Sequence, residues 1–104
     1  MGAVTAASLA SAGAAVVFCG RRVSEGESVQ KRIRDAGGIA DFVQADVTDE
    51  AQIQALLKTV ESKHGRLDFA FNNVGTSDGT GLLHELSSAE FDLVMNTNLR
   101  GTFL

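Results

Sequence analysis

Leu67-Asp68-Phe69-Ala70-Phe71-Asn72-Asn73-Val74-Gly75 is the stretch on which the reading of this chain turns. Its first five residues are an apolar run of strand length, the pattern of a strand buried in a parallel sheet. The run then breaks into two amides and a glycine. Short amides at a strand end bond both to neighbouring backbone and to a ligand, and Gly75 removes the Cβ that would keep a ligand away. The third strand is therefore placed at 67–73.

Working outward, helical and strand periods alternate. Residues 3–12 are rich in alanine and stop at Gly13, which suits a left-handed helix end. Residues 14–19 form a continuous apolar run, expected of a strand covered on both faces. Ser24 and Glu27 have the S-x-x-E spacing of a capping box, opening a helix that ends at Gly37-Gly38 with Val29, Ile33 and Ala36 inward. Residues 39–45 form the next strand, and Asp41 and Gln44 give it the mixed character of a sheet edge. Thr48 or Asp49 caps a helix whose stripe is Ile53, Leu56, Leu57 and Val60. His64 lies in its last turn, where a proton would complement the helix dipole. A polar loop runs to Leu86. Ser87 and Glu90 form a second capping box for a helix still running at Leu104. Helices and strands in strict alternation imply parallel βαβ crossovers and a doubly wound α/β sheet.

Composition narrows the function. The 104 residues carry a net charge of −4 with 44% hydrophobic and 21% charged residues, ordinary for one small globular domain. The basic groupings Arg21-Arg22 and Lys31 to Arg34 are too sparse for a nucleic-acid surface. No apolar run reaches the roughly 18 residues a membrane helix needs. The single cysteine, Cys19, permits no internal disulfide and suits a reducing, cytoplasmic setting. Two histidines and one cysteine give no metal-ligand spacing. Gly79-Thr80-Gly81 lacks the strand-to-helix turn of a phosphate cradle. Ser77, Asp78 and His84 share a loop without the arrangement of a triad.

Asn72-Asn73-Val74-Gly75 resembles the Asn-Asn-Ala-Gly signature of the short-chain dehydrogenase/reductase family. Met1-Gly2 resembles the end of the family's Thr-Gly-x-x-x-Gly-Ile-Gly turn, and Asn96-Thr97-Asn98-Leu99-Arg100-Gly101 its Asn-x-Asn-Leu-x-Gly segment. The resemblance covers the whole chain but only the middle of a typical member. It implies a Rossmann-like sheet that is incomplete: three strands alternating with four helices, the first strand missing, so that 1–104 is a partial dinucleotide-binding domain. In the family's strand order the first strand lies between two of these three. Its absence leaves two unpaired edges, so the chain alone is expected to be poorly stable or to aggregate.

The resemblance also implies roles. Asn72 steadies the central sheet, while Asn73, Val74 and Gly75 border the adenosine ribose. Asp46 bonds the adenine amino group, helped by the backbone of Val47. Gly2 closes the pyrophosphate turn. Asn98 is the catalytic asparagine, which holds a water in the proton relay and distorts its helix. NAD-preferring members carry an acidic residue where this chain has Gly20, followed by Arg21 and Arg22. An arginine forks onto a 2′-phosphate, which favours NADP(H) over NAD(H). The expected activity of the full-length parent, a homo-oligomer, is hydride transfer between nicotinamide and an alcohol or carbonyl substrate. The family's catalytic tyrosine is absent, since the chain has none, so this piece by itself is expected to be inactive. The alternative is a non-catalytic dinucleotide-binding or interaction module of the same fold.

Overall fold

The computed structural model describes residues 1–77 and 81–104. Asp78, Gly79 and Thr80, and with them the readings of Gly79-Thr80-Gly81 and of Asp78 in a triad, lie outside the described residues. The elements are α1 (Gly2–Ser11), β1 (Ala15–Gly20), α2 (Val23–Asp35), β2 (Ile39–Gln44), α3 (Glu50–His64), a 3-10 turn (Leu83–Glu85), α4 (Ser88–Met95), a π-helical turn (Asn96–Arg100) and α5 (Gly101–Phe103).

Turn chemistry sets the first connections. Helix α1 ends with Gly13 at φ 96° and α2 with Gly37 at φ 86°, in a region that Cβ-bearing residues avoid. In both, two crossed bonds close the end: Gly13 N–H to Ala10 and Ala14 N–H to Leu9, then Gly37 N–H to Arg34 and Gly38 N–H to Ile33. The chain is thereby turned straight into a strand each time. Helix α2 starts at Val23, two residues earlier than a Ser24 cap requires. The Ser24–Glu27 box does not form. Arg22 occupies the cap position, its guanidinium is paired with Glu25 at 2.9 Å, and Gly26 is brought flush against the Phe42 ring. Asp49, not Thr48, caps α3, accepting from the N–H groups of Ala51 and Gln52 at 2.9 and 3.3 Å.

Strands β1 and β2 pair in parallel, with Ala15 opposite Ile39 and Phe18 opposite Phe42. The two rings stack obliquely at 5.5 Å. On one face, Ala6 and Ala10 of α1, Ile33 of α2 and Ala40 of β2 form the buried core, with Val16, Phe18 and Val29 around it. Alternation along β2 sends Asp41 to the other face, where Lys63 and His64 of α3 meet it. Helices thus lie against both faces of the pair without fully covering it. Of the α3 stripe, Val60 is buried, Ile53 and Leu56 are half-buried, and Leu57 is exposed.

β2 is an edge strand, as its composition implies, and α2 occupies two backbone groups of that edge. Gln30 Oε1 accepts the Phe42 N–H at 2.7 Å, and Arg34 Nε donates to the Ala40 carbonyl at 2.8 Å. β1 is half-buried rather than covered on both faces. The expected third strand is corrected: two strands pair among the described residues, and 67–73 forms no ladder. A strand is defined by a neighbour's N–H and C=O groups, and none lies beside this run among the described residues. Its Phe69 and Phe71 are 92% and 62% exposed. Ser87 and Glu90 do form their box, Ser87 Oγ accepting the Glu90 N–H at 3.2 Å and Glu90 Oε2 the Ser87 N–H at 2.7 Å.

Candidate functional site

Of the residues singled out in the sequence, Arg21, Arg22, Asp46 and Val47 follow the carboxyl ends of β1 and β2, the edge at which open α/β sheets bind ligands. The strand ends are stitched together there. Ala45 N–H donates to the Gly20 carbonyl at 3.0 Å, and Gln44 Nε2 to the Arg21 carbonyl at 3.2 Å. This fixes the backbone of Gly20-Arg21 beside the exit of β2.

Asp46 follows directly. Its Oδ1 accepts the Thr48 N–H at 2.9 Å and the Thr48 hydroxyl at 2.7 Å, an Asx-turn. Its own N–H donates to Gln52 Oε1 at 2.8 Å. The Thr48 N–H, then the Thr48 hydroxyl, and the nearby charge of Arg21 hold the Asp46 carboxyl below the usual carboxylate range. The group is an anion with one oxygen fixed. Its Oδ2 accepts no hydrogen bond among the described residues, which suits it to a donor such as an exocyclic amine. Arg21 and Arg22 are both exposed, and among the described residues only Arg22 forms an ion pair, with Glu25.

The other residues form a second group. Gly2 and Asn73 are neighbours: a Cβ on Gly2 would come within 3.0 Å of Asn73 Nδ2. Val74 is 46% exposed, and Asn72 is exposed with no strand beside it. Gly75 faces Asn98, whose Oδ1 would be 3.7 Å from a Cβ there. The Asn98 amide is held from both sides by one residue. Oδ1 accepts the Thr76 N–H at 2.8 Å and Nδ2 donates to the Thr76 carbonyl at 2.9 Å. Asn98 is exposed rather than buried, and the helix around it is wound as a π turn over Asn96–Arg100. Such turns disturb the carbonyl ladder and recur at functional sites. The main-chain carbonyl of Asn98 accepts the Thr102 hydroxyl at 3.2 Å.

The two groups are joined through contacts the sequence does not advertise. Arg100 Nη1 donates to the Thr48 carbonyl at 3.2 Å, and Gly101 lies directly against Val47. Thr48 and Gln52 thus join the candidate site, and Arg100 and Gly101, from the same quoted segment as Asn98, gain a role in connecting it. Of the first two, only Thr48 carries a local signal, the Asp-x-Thr spacing of an Asx-turn. An open groove of about 460 Å³ between α1 and α2, lined by Ala3, Val4, Ala7, Arg32 and Gly38, lies apart from these residues. Among the described residues no three His, Cys, Asp or Glu side chains gather as metal ligands, and no helix is long and apolar enough to cross a membrane.

Residues 1–104 match the family model described as short chain dehydrogenase. The chain is 40% identical over 105 residues to the cis-4-hydroxycyclohexanecarboxylate dehydrogenase of Sinomonas cyclohexanicum, covering 100% of this chain and 41% of that protein. It is 32% identical over 103 residues to a 3beta-hydroxysteroid dehydrogenase of Mediterraneibacter gnavus, covering 99% of this chain and 37% of that protein. Among solved structures, a metagenomic short-chain oxidoreductase in complex with NADP superposes with a TM-score of 0.91 at 35% identity, over 98% of this chain and 46% of that one. A gluconate 5-dehydrogenase from Burkholderia cenocepacia, in complex with NADP and tartrate, superposes with a TM-score of 0.83 at 33% identity, over 94% and 38%. The chain spans about two-fifths of the length of the curated relatives it matches. Its parallel pair flanked by helices is an incomplete Rossmann-like sheet, and the chain belongs to the short chain dehydrogenase family.

Proposed function

We propose that residues 1–104 form the adenosine side of a nicotinamide-dinucleotide site in an oxidoreductase. The parent reaction is hydride transfer between the nicotinamide and an alcohol or carbonyl carbon of a small-molecule substrate. The observation that carries this reading is Asp46: an ionised carboxylate with one oxygen locked by Thr48 and the other open, at the carboxyl end of β2. In this reading Asp46 Oδ2 accepts from the adenine amino group, and the Val47 backbone borders the ring. Gly75 and Asn73 pass close to the ribose, and Gly2 lies toward the pyrophosphate.

Arg21 is the residue of the basic pair without an ion-pair partner among the described residues, Arg22 being paired with Glu25, and is assigned the 2′-phosphate. This, with the NADP bound in two similar structures, supports NADP(H) over NAD(H). Asn98 is assigned the positioning of a water in the proton relay, on its family position and its π turn. The nicotinamide, when bound, gives or takes the hydride. The general acid/base is a tyrosine in the family, and this chain contains none, so the 104-residue chain is expected to turn over no substrate.

The test is a titration of the ¹⁵N-labelled chain with adenosine 2′,5′-bisphosphate and, separately, with 5′-AMP. Saturable shifts are expected at Asp46, Val47, Asn73 and Gly75, with the bisphosphate bound more tightly and Arg21→Ser abolishing that difference. No saturable shift at millimolar ligand would refute the reading.

A further inference from the structure

Three contacts run through the site in series. Thr76 is bound by both ends of the Asn98 amide. Two residues further along the π turn, Arg100 donates to the Thr48 carbonyl, with Glu50 Oε2 3.9 Å from its other terminal nitrogen. Next to it, Gly101 touches Val47: a Cβ there would lie 2.8 Å from Val47 Cγ2 and 3.2 Å from both the Val47 Cβ and the Val47 carbonyl oxygen. Val47 is β-branched and cannot swing its methyls away at little cost, and the backbone oxygen cannot swing at all. Only glycine fits this crossing. Thr48, which takes Arg100 on its carbonyl, is the same residue whose N–H and hydroxyl set Asp46.

We propose that Arg100 and Gly101 are positioning residues: a latch that docks the π turn onto the Val47-Thr48 turn and so fixes Asn98 relative to Asp46. The adenine end and the reaction side of the site are then one mechanical unit, held without any large apolar interface. The functional meaning of the latch rests on the nucleotide-site reading. The latch itself rests on contacts alone and can be tested without nucleotide.

The experiment is amide hydrogen exchange and side-chain amide NMR on the nucleotide-free chain. In Gly101→Ala, exchange of the Thr76 N–H rises about ten-fold and the Asn98 Nδ2 resonances move, while the Gly38 N–H, bound to Ile33 in the packed half, keeps its rate. Adding Val47→Ala to Gly101→Ala removes the Cγ methyls and returns Thr76 exchange to within about two-fold of the wild type, a coupling that mere loss of helix stability would not show. Arg100→Gln, which adds no bulk, raises Thr76 N–H exchange about three-fold along with that of the Thr48 N–H. An unchanged Thr76 rate in Gly101→Ala, equal acceleration at Thr76 and Gly38, failure of Val47→Ala to restore, or an Arg100→Gln effect confined to Thr48 would each overturn the latch. Coupling in a chain that binds no adenosine bisphosphate would refute the nucleotide reading alone. Binding without coupling would refute the latch alone.

Discussion

Residues 1–64 and residues 65–104 are held by different forces. Every buried apolar side chain among the described residues, namely Ala6, Ala10, Ile33, Ala40, Ala45 and Val60, belongs to the first region. In the second, Leu67, Phe69, Leu83, Leu99 and Phe103 are 54–92% exposed. The radius of gyration, 15.5 Å, exceeds the roughly 13 Å of a compact chain of about 100 residues, because the second region is not folded onto a shared core. Yet Asn73, Gly75 and Asn98 lie in that second region. Hydrophobic burial fixes the scaffold, while a few polar bonds and close glycine contacts place these residues on it. A site can be well placed locally where packing is poor.

The comparison breaks most sharply at Ile33. Ile33→Ala removes the largest side chain of the buried core and should cost about 2–4 kcal/mol, lowering the denaturation midpoint of the β1–β2 unit. Asp41 comes next. Its carboxylate accepts from Lys63 Nζ at 2.6 Å and Arg34 Nη2 at 2.7 Å, with His64 Nε2, buried and without a hydrogen-bond partner among the described residues, 3.9 Å away. The hydrogen bond from Lys63 does most to depress its pKa; burial opposes this, and the charges of Lys63 and Arg34 add to it. A depressed carboxylate contributes fully above the unfolded value near ~4, and the contribution is lost as pH falls through the lower folded value. Asp41→Asn should therefore cost about 1–3 kcal/mol at neutral pH and flatten the acid limb of a urea-midpoint-versus-pH curve.

Smaller effects belong to the second region. Ser87→Ala removes one bond of a formed capping box and should cost α4 about 1 kcal/mol, seen as faster exchange at the Glu90 N–H with no change at Gly38. Phe103→Ala, at a side chain 85% exposed, should change unfolding free energy by less than about 0.5 kcal/mol, while light scattering reports less self-association. A large loss at Phe103 would show a core there and erase the contrast between the regions.

Much of this was legible in the sequence because it depends on short-range chemistry. Gly13, Gly37, Asp49 and the Ser87–Glu90 pair mark element ends through their own backbone needs. The run at 67–73 was misread as a ladder because its apolar pattern states only that it suits a sheet, whereas a strand also needs a neighbour. Ser24 does not cap α2, because the tertiary fit of Gly26 against Phe42 goes with a helix start two residues earlier than that cap requires. His64 lies in the last turn of α3, as its position implies, and also beside Asp41, a juxtaposition across 23 residues that no local pattern contains. Asp46, Gly75 and Asn98 could be named from motifs. Arg100 and Gly101 lie in the same quoted segment as Asn98, but their contacts to Thr48 and Val47 could not be read from it, since those partners lie some fifty residues away.

Native-state hydrogen exchange in low urea tests the two-region view most directly. Amides of α2 and β2 should exchange only through global unfolding, with rates that steepen together as urea rises. Amides of α4, the π turn and α5 should exchange through small local openings that are nearly insensitive to urea. A single set of urea-dependent rates merging across both regions would contradict it, because the residues after His64 would then share the core's cooperativity.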